Sequence, residues 1–533
     1  MNMFVATVCA FACVISAWAS DDEVSLLQTD QLVRGSARQA LLSNAPRAQD
    51  AAQVDQPKKD RPKLLTERSS EQGQAGTAEL HYWPHARGNI GQYSRTSYSV
   101  PSEKLKNLSA SLAWTWVHPT NLSAFVWGTL IDKDKNIIIA SMQGLFKYKP
   151  DGELLWKRPD IKMSQMPVLM GSALYGMQMG LAQMYALDLR TGATLWSRKE
   201  ALFTGIEGDM VEAHNGVIVA AVGLAALPSP VGSPAKRAIG VNASNGRTLW
   251  SYTPECGIWN IMALFPDEDT TVFMDYCGGV YRLGLYSGSL IWKHSGSPES
   301  NTDGGATLAP DGSIYTCSDG PNAHWGEGVD PGRVRKYRLS DGALIWETKL
   351  PNACMNFPSV SFDGETVVLA DGQNVLAPPT KTVLGSPQKK IDEFYALQQD
   401  LLRNKKQLSY YNYSNLNASI LGFDSRTGQL KWKHDVEPWY GLSFANDEER
   451  AYNMVSGKGG AAYCGPPHWG GATLDKDDNI IIARSDGELY IYNPRNDSET
   501  TFHIGDGALM AGASFAPGLM VVPTCSWVYV FRF

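Results

Sequence analysis

The sequence predicts an all-β fold, an eight-bladed β-propeller of four-stranded antiparallel blades, with seven blades as the alternative. Three observations carry that prediction. Six segments repeat one pattern: a small polar residue, Gly, two variable residues, usually Leu or Ile, then Trp. Their tryptophans, Trp156, Trp196, Trp250, Trp292, Trp346 and Trp432, lie 40, 54, 42, 54 and 86 residues apart, a ~40-residue blade unit with insertions. The composition agrees: 50 glycines and 16 tryptophans in 533 residues favour tight turns and aromatic packing points, and only 19% of residues are charged, below the usual ~25%.

Residues 1–19 read as a secretion signal. Met3 to Ala19 is almost wholly apolar, and Ala17-Trp18-Ala19 has the small-x-small form of a cleavage site. No basic residue precedes the apolar run, which keeps an uncleaved anchor as the alternative. No later stretch reaches the ~18 apolar residues of a membrane span. The mature chain is therefore expected to be secreted or luminal, or periplasmic in a bacterium. Residues 20–79, rich in Gln, Ala, Ser and charges of both signs, have too few large apolar side chains to bury and are expected to form a disordered pro-segment or linker. The propeller domain is placed at 80–533.

Each unit reads as four short strands. In the first, Gly128 to Ile131, Asn136 to Ser141 and Gly144 to Lys149 are β-rich runs, and Asp151-Gly152 turns the chain into the strand bearing Trp156. Gly and Asn at such turns tolerate positive φ, and the Trp that follows can pack between neighbouring blades. A seventh unit spans 471–492, with Phe502 in place of Trp. The C-terminus supplies three strands, at 512–515, 519–522 and 527–533. The fourth is offered by Leu112 to Trp116, which has the anchor chemistry but no strands before it. Joining both termini in one blade closes the ring and removes an edge, making eight blades. Trp114 or Trp116 anchors that blade; Trp116 is the assigned residue.

Topology separates two faces. Turns between strands one and two and between three and four are short throughout. Every long insertion (223–236, 319–333, 371–417 and 434–469) falls on the opposite face. Long loops on a rigid scaffold are where function usually sits. Ser386-Pro387 and an apolar stripe at Ile391, Phe394, Tyr395, Leu401 and Leu402 predict a helical insertion at 375–417. Two long loops share His-Trp-Gly, at His324-Trp325-Gly326 and His468-Trp469-Gly470. With Glu327, Trp439, Tyr440 and Cys464, these residues form the candidate binding face: His transfers protons or ligates metal, and aromatics suit sugar rings or peptide side chains. Packing of these side chains within their own loops is the competing reading. Cys464 and His468 have the spacing of half a zinc site, but no second pair completes it, so no metal is assigned. Asp132-Lys133-Asp134-Lys135-Asn136 and Asp475-Lys476-Asp477-Asp478-Asn479 resemble calcium loops superficially. Without the central Gly and the distal Glu they read as hairpin turns.

Six cysteines follow the leader: Cys256, Cys277, Cys317, Cys354, Cys464 and Cys525. They allow 15 full pairings, and one to three disulfides are expected in an oxidising compartment, with buried thiols as the alternative. Asn107, Asn121, Asn242, Asn412, Asn417 and Asn496 begin Asn-x-Ser sequons, potential glycosylation sites in a eukaryotic secretory pathway. A net charge of −7 offers no surplus of positive charge to a nucleic acid.

The repeat resembles that of the pyrroloquinoline-quinone-like (PQQ-like) propellers, which include quinoprotein alcohol dehydrogenases and the BamB-type assembly lipoprotein. The resemblance rests on Ala186-Leu187-Asp188-Leu189-Arg190-Thr191-Gly192 to Trp196, on Phe423-Asp424-Ser425-Arg426-Thr427-Gly428 to Trp432, and on Trp83-Pro84-His85-Ala86-Arg87-Gly88-Asn89 as an opening motif. It covers about residues 81–533. Such propellers host catalysts, scaffolds and receptors alike. The quinoprotein enzymes hold PQQ under a disulfide of sequence-adjacent cysteines beside Ca²⁺; this sequence has no adjacent cysteine pair and no Cys-x-x-Cys-His. The expectation is a non-catalytic, monomeric propeller binding a protein or glycan partner through its long-loop face, without a cofactor. A diverged PQQ- and calcium-dependent dehydrogenase of alcohols or sugars is one alternative. A glycan-active enzyme is the other, although no carboxylate pair can be nominated for it.

Overall fold

The computed structural model describes residues 81–117, 126–141, 143–162, 166–178, 183–199, 210–224, 235–297, 300, 302, 305–319, 331–354, 357–372, 389, 396, 416–439, 445, 469–505, 507 and 511–533. The expected leader and linker at 1–79 lie outside them. Within the insertion expected at 375–417, Lys389 and Ala396 are helical and exposed, and a strand already begins at Leu416.

Strands pair into eight four-stranded antiparallel sheets. Blade one is β2 (Thr129–Ile131), β3 (Ile137–Ser141), β4 (Gly144–Tyr148) and β5 (Leu154–Arg158). Blade two runs from β6 (Val168–Met170) to β9 (Thr194–Lys199), blade three from β10 (Val211–His214) to β13 (Thr248–Tyr252), and blade four from β14 (Leu264–Asp267) to β17 (Leu290–His294). Blade five extends from β18 (Thr307–Leu308) to β21 (Leu344–Lys349), blade six from β22 (Ser359–Val360) to β25 (Leu430–Trp439), and blade seven from β26 (Thr473–Leu474) to β29 (Ser498–His503). The eighth combines β30 (Ser514–Ala516), β31 (Leu519–Pro523) and β32 (Trp527–Arg532) with β1 (Leu112–Val117), in the order β1-β32-β31-β30. Trp114 pairs with Val530 and Trp116 with Val528, so the two ends of the chain close the ring as the sequence predicts.

The core lies between blades. Val168, Tyr175, Met177 and Ala186 of blade two, for example, pack on Val211, Ile218, Ala220 and Ile239 of blade three. Each anchor Trp extends that contact at the blade's outer edge. Trp156, Trp196, Trp250, Trp292 and Trp346 donate their indole N–H to a backbone carbonyl of the following blade, at Leu189, Ala243, Leu285, Leu339 and Ser425 respectively. The same rings cover Gly192, Gly246, Gly288, Gly342 and Gly428, all at positive φ, where a Cβ would come within 3.0 Å of the indole. In the closing blade Trp114 makes this contact, with its N–H on Pro150 O (3.0 Å) and its ring over Gly152. Trp116, the residue assigned from sequence, is buried against Phe146 and donates to the Tyr148 hydroxyl. Trp432 instead meets Tyr492 edge-on at 5.6 Å, because the turn it faces, between β28 (Glu488–Asn493) and β29, contains no glycine. Phe502 packs on Phe531 and Tyr529 of the closing blade, which has no β-turn there because its outer strand comes from the N-terminal side.

The turns at Asp132 and Asp475 are hairpins. Asp132 accepts from the amides of Asp134 and Asn136, from Asn136 Nδ2 and from Lys147 Nζ at 2.7 Å; Asp475 accepts from Asp477, Asn479 and Val100.

Candidate functional site

A propeller's axis is its usual cavity. Here residues 81–100 enter it from the short-turn face, descend to Arg87, and return to the same face. The segment touches the innermost strand of every blade. Trp83 bridges Ile131 of blade one and packs near Phe515 of blade eight, and Pro84 O accepts from Leu169 N of blade two. His85 Nδ1 lies 2.5 Å from Glu212 Oε2 of blade three. Ile90 O and Gly91 O accept from Phe265 N of blade four and Leu308 N of blade five, and Arg95 bridges Leu474 of blade seven. Arg87 closes the circuit: Nη1 donates to Thr307 Oγ1 (2.8 Å) and Nη2 to Ser359 Oγ (2.8 Å) and Pro358 O (3.0 Å). Its guanidinium also lies over the Phe357 ring at 4.8 Å. Burial without a carboxylate partner pushes its pKa down to about 9. The side chains of Trp83, His85, Arg87, Gln92 and Ser94 are all buried.

Toward the long-loop face, Met166, Met210, Met262, Phe357 and Ala511, each just before an innermost strand, pack on Ala86. Among the described residues, this layer of the axis is thioether, methyl and aromatic. A calcium-bound quinone needs acidic and amide oxygens there, and these residues do not fit it. Nor do the disulfides: Cys256–Cys277 and Cys317–Cys354 span 21 and 37 residues rather than adjacent positions.

Those disulfides stand on the long-loop face, as does Cys525 in the β31–β32 turn, itself disulfide-bonded. Beside them are three buried carboxyls, each at or next to the end of the second strand of its blade. Asp275 accepts from the amides of Cys256, Cys277 and Gly279 and from the Tyr281 hydroxyl; burial nevertheless holds its pKa above the usual carboxylate range. Asp319 accepts from Cys354 N at 2.6 Å, and burial pushes it up to about 7. Asp371 accepts from Asn352 N (2.9 Å) and Nδ2 (3.2 Å), and burial raises it to about 6. These aspartates tie the blade-to-blade connections to the sheets and so hold the base of the long-loop face rigid.

Of the residues read from sequence as a binding face, His324, Trp325, Glu327, Tyr440, Cys464 and His468 lie outside the described residues. Trp439 is half-buried at the end of β25, opposite Leu416. Trp469 is turned into the core between blades six and seven. It donates to Asp371 O (3.0 Å), meets Tyr490 edge-on and lies under Arg484. Among the sequons, Asn107, Asn417 and Asn496 are exposed, while Asn242 is half-buried with its side-chain oxygen bonded to Ser244 N and Oγ. Asn121 and Asn412 lie outside the described residues. Sequence reasoning missed the plug and the three aspartates. An Arg beside Trp, Pro and His in an otherwise turn-like stretch is the one local trace the plug leaves.

Fold and repeat define the class: the chain is an eight-bladed β-propeller whose repeat resembles that of the PQQ-like propellers. The family described as outer membrane protein assembly factor BamB matches residues 143–292, from β4 to β17. Among solved structures, BamB from Moraxella catarrhalis superposes with a TM-score of 0.50 at 13% identity, covering 79% of this chain and 99% of that one. Quinohemoprotein alcohol dehydrogenase from Comamonas testosteroni gives 0.56 at 12% identity, covering 84% and 80%. A europium-containing methanol dehydrogenase gives 0.52 at 10%, covering 85% and 98%. At these identities the likeness is one of fold. No curated protein matches by sequence.

Proposed function

We propose that this protein is a non-catalytic propeller that binds a protein partner through its long-loop face. The observation that carries the reading is the division between its two ends. The plug fills the axis from the short-turn face, while the long connections, the disulfides and the buried aspartates gather on the other. Among the described residues that end is braced by disulfides and buried aspartates, which favours a fixed surface for a partner. The matching family, an assembly factor for outer membrane proteins, supports a protein as the partner, and a glycan partner has only the loop aromatics in its favour. Disulfides on this face suit a secreted, luminal or periplasmic site of action. A quinone-dependent dehydrogenase draws on resemblance alone and, among the described residues, meets a layer of methionine and phenylalanine on the long-loop side of the plug.

Affinity capture with the mature chain, compared with a variant in which residues 375–415 are replaced by a short Gly-Ser linker, tests the reading. Loss of a reproducible protein partner at an unchanged melting temperature is expected. Equal recovery of every partner by both proteins counts against the long-loop face.

A further inference from the structure

A second candidate site lies away from the axis, between blades four and five. It is a cavity of about 190 Å³ lined by His294, Ser295, Arg335, Tyr337 and Glu347, under the turn that carries Cys277. It exists because His294 ends the outer strand of blade four, where the chain turns into the next connection. Arg335, Tyr337 and Glu347 lie on β20 (Arg333–Arg338) and β21 of blade five, with Arg335 and Glu347 directly paired.

Its charges are arranged unequally. Glu347 accepts from Arg335 Nε at 2.7 Å and lies 3.3 Å from Arg333 Nε, so two guanidinium groups share one carboxylate. Arg335 Nη1 donates to Ser318 Oγ (2.7 Å), which leaves Nη2 for a guest. The His294 ring stands 4.9 Å from Tyr337 and makes no hydrogen bond among the described residues. Burial, then the positive charge of Arg335, holds its pKa below the usual imidazole value, so near neutral pH it offers one donor and one acceptor. On its own blade His294 is flanked by Lys293, already paired with Glu255.

The geometry points to a binding site for a single-ring sugar acid, its carboxylate on Arg335 and a hydroxyl on His294. With Nε on Glu347 and Nη1 on Ser318, Arg335 Nη2 remains as a single charge-assisted donor, which favours a carboxylate oxygen over a neutral acceptor. The volume is below the ~300–1,000 Å³ of drug-sized pockets, which restricts the guest to one ring. The cavity lies at the margin of the long-loop surface proposed above, beside Ser297, but its test reads a small acid rather than a protein partner, so either reading can fail without the other.

Calorimetric titration of the full chain with glucuronate, glucose and a glucuronate-terminated disaccharide tests it. One saturable site for glucuronate with a Kd of about 1 mM or tighter is expected, with glucose at least ~10-fold weaker. Disaccharide binding as tight as that of the free acid identifies a glycan terminus as the natural source; weaker binding identifies the free acid. Arg335→Lys and His294→Phe should each weaken glucuronate by about 5-fold or more while leaving the melting temperature within the error of the parent. Glucuronate should also raise the His294 pKa read by NMR, a shift that a purely structural role does not produce. No saturable heat, equal binding of glucose, or affinity untouched by both substitutions overturns the site.

Discussion

The indole of Trp156 lies on Gly192, the turn glycine of the next blade, so closely that a Cβ there would sit 2.8 Å from Cδ2 of the ring. Gly192 also has φ of 71°. One residue is thus held to glycine by backbone conformation and by a contact across the blade boundary. This explains why the repeat pairs a glycine with a tryptophan: the glycine of each turn receives the tryptophan of the blade before it.

Alanine at position 192 should therefore cost more than alanine at Gly216, which has φ of 80° but nothing within 4 Å of its Cβ position. A left-handed backbone alone costs ~1–2 kcal/mol, and overpacking adds ~1–3 kcal/mol. Denaturant unfolding should show Gly216→Ala losing only the first and Gly192→Ala losing both. Equal losses would mean that the ring contact contributes nothing.

Arg87→Met should loosen the plug. Replacing the guanidinium removes the donor from Thr307 Oγ1 and Ser359 Oγ and leaves Pro358 O with the Thr307 hydroxyl alone, a loss of several kcal/mol at ~1.5–3 kcal/mol for each bond to a charged group. Hydrogen exchange should then quicken together at the amides of Leu169, Phe265 and Leu308, which are bonded to the plug in three different blades. Unchanged protection at all three would show that the backbone bonds hold the segment without Arg87.

Asp319 gives stability a pH dependence of definite sign. Its folded pKa, about 7, lies above the ~3.9 of an unfolded aspartate, so the folded state holds the extra proton between these values. The contribution is complete below pH ~4 and is lost as pH rises through about 7, on the order of 3–4 kcal/mol for this fully buried group. Asp319→Asn should flatten the stability profile between pH 4 and 7 relative to the parent. Parallel profiles would place the titration elsewhere.

Asn242 begins a sequon because its repeat needs a turn cap. It stands where Asp188 and Asp424 stand in their blades, and like them it accepts from the backbone and hydroxyl of a nearby Ser or Thr. Peptide mass spectrometry after expression in a eukaryotic secretory pathway should find glycan at exposed Asn107 and Asn496 but not at Asn242. Full occupancy at Asn242 would show that its turn opens during synthesis.

The blade count was readable because its signals are local: a turn, a glycine and a tryptophan within six residues. Even closure by β1 could be inferred from a Trp strand without neighbours. Trp114 and Trp116 are two residues apart and share one side of a strand, so only the position of Gly152 separates anchor from core. The plug was not readable, since Arg87 finds its partners 220 to 272 residues away. Trp469 misled for a related reason: a tryptophan beside a long loop looks available, yet its indole bonds to Asp371, 98 residues earlier.

The central claim, that the long-loop face meets a protein partner while the plugged face does not, is tested most directly by site-specific photocrosslinking. Probes at Lys162, Ser297 and Pro351 sit on blade-to-blade connections; probes at Asp134, Asn215 and Asp363 sit on the short turns. Crosslinks to a common protein partner are expected from the first three positions and none from the second. Crosslinks confined to the short turns, or spread equally over both faces, would contradict the claim.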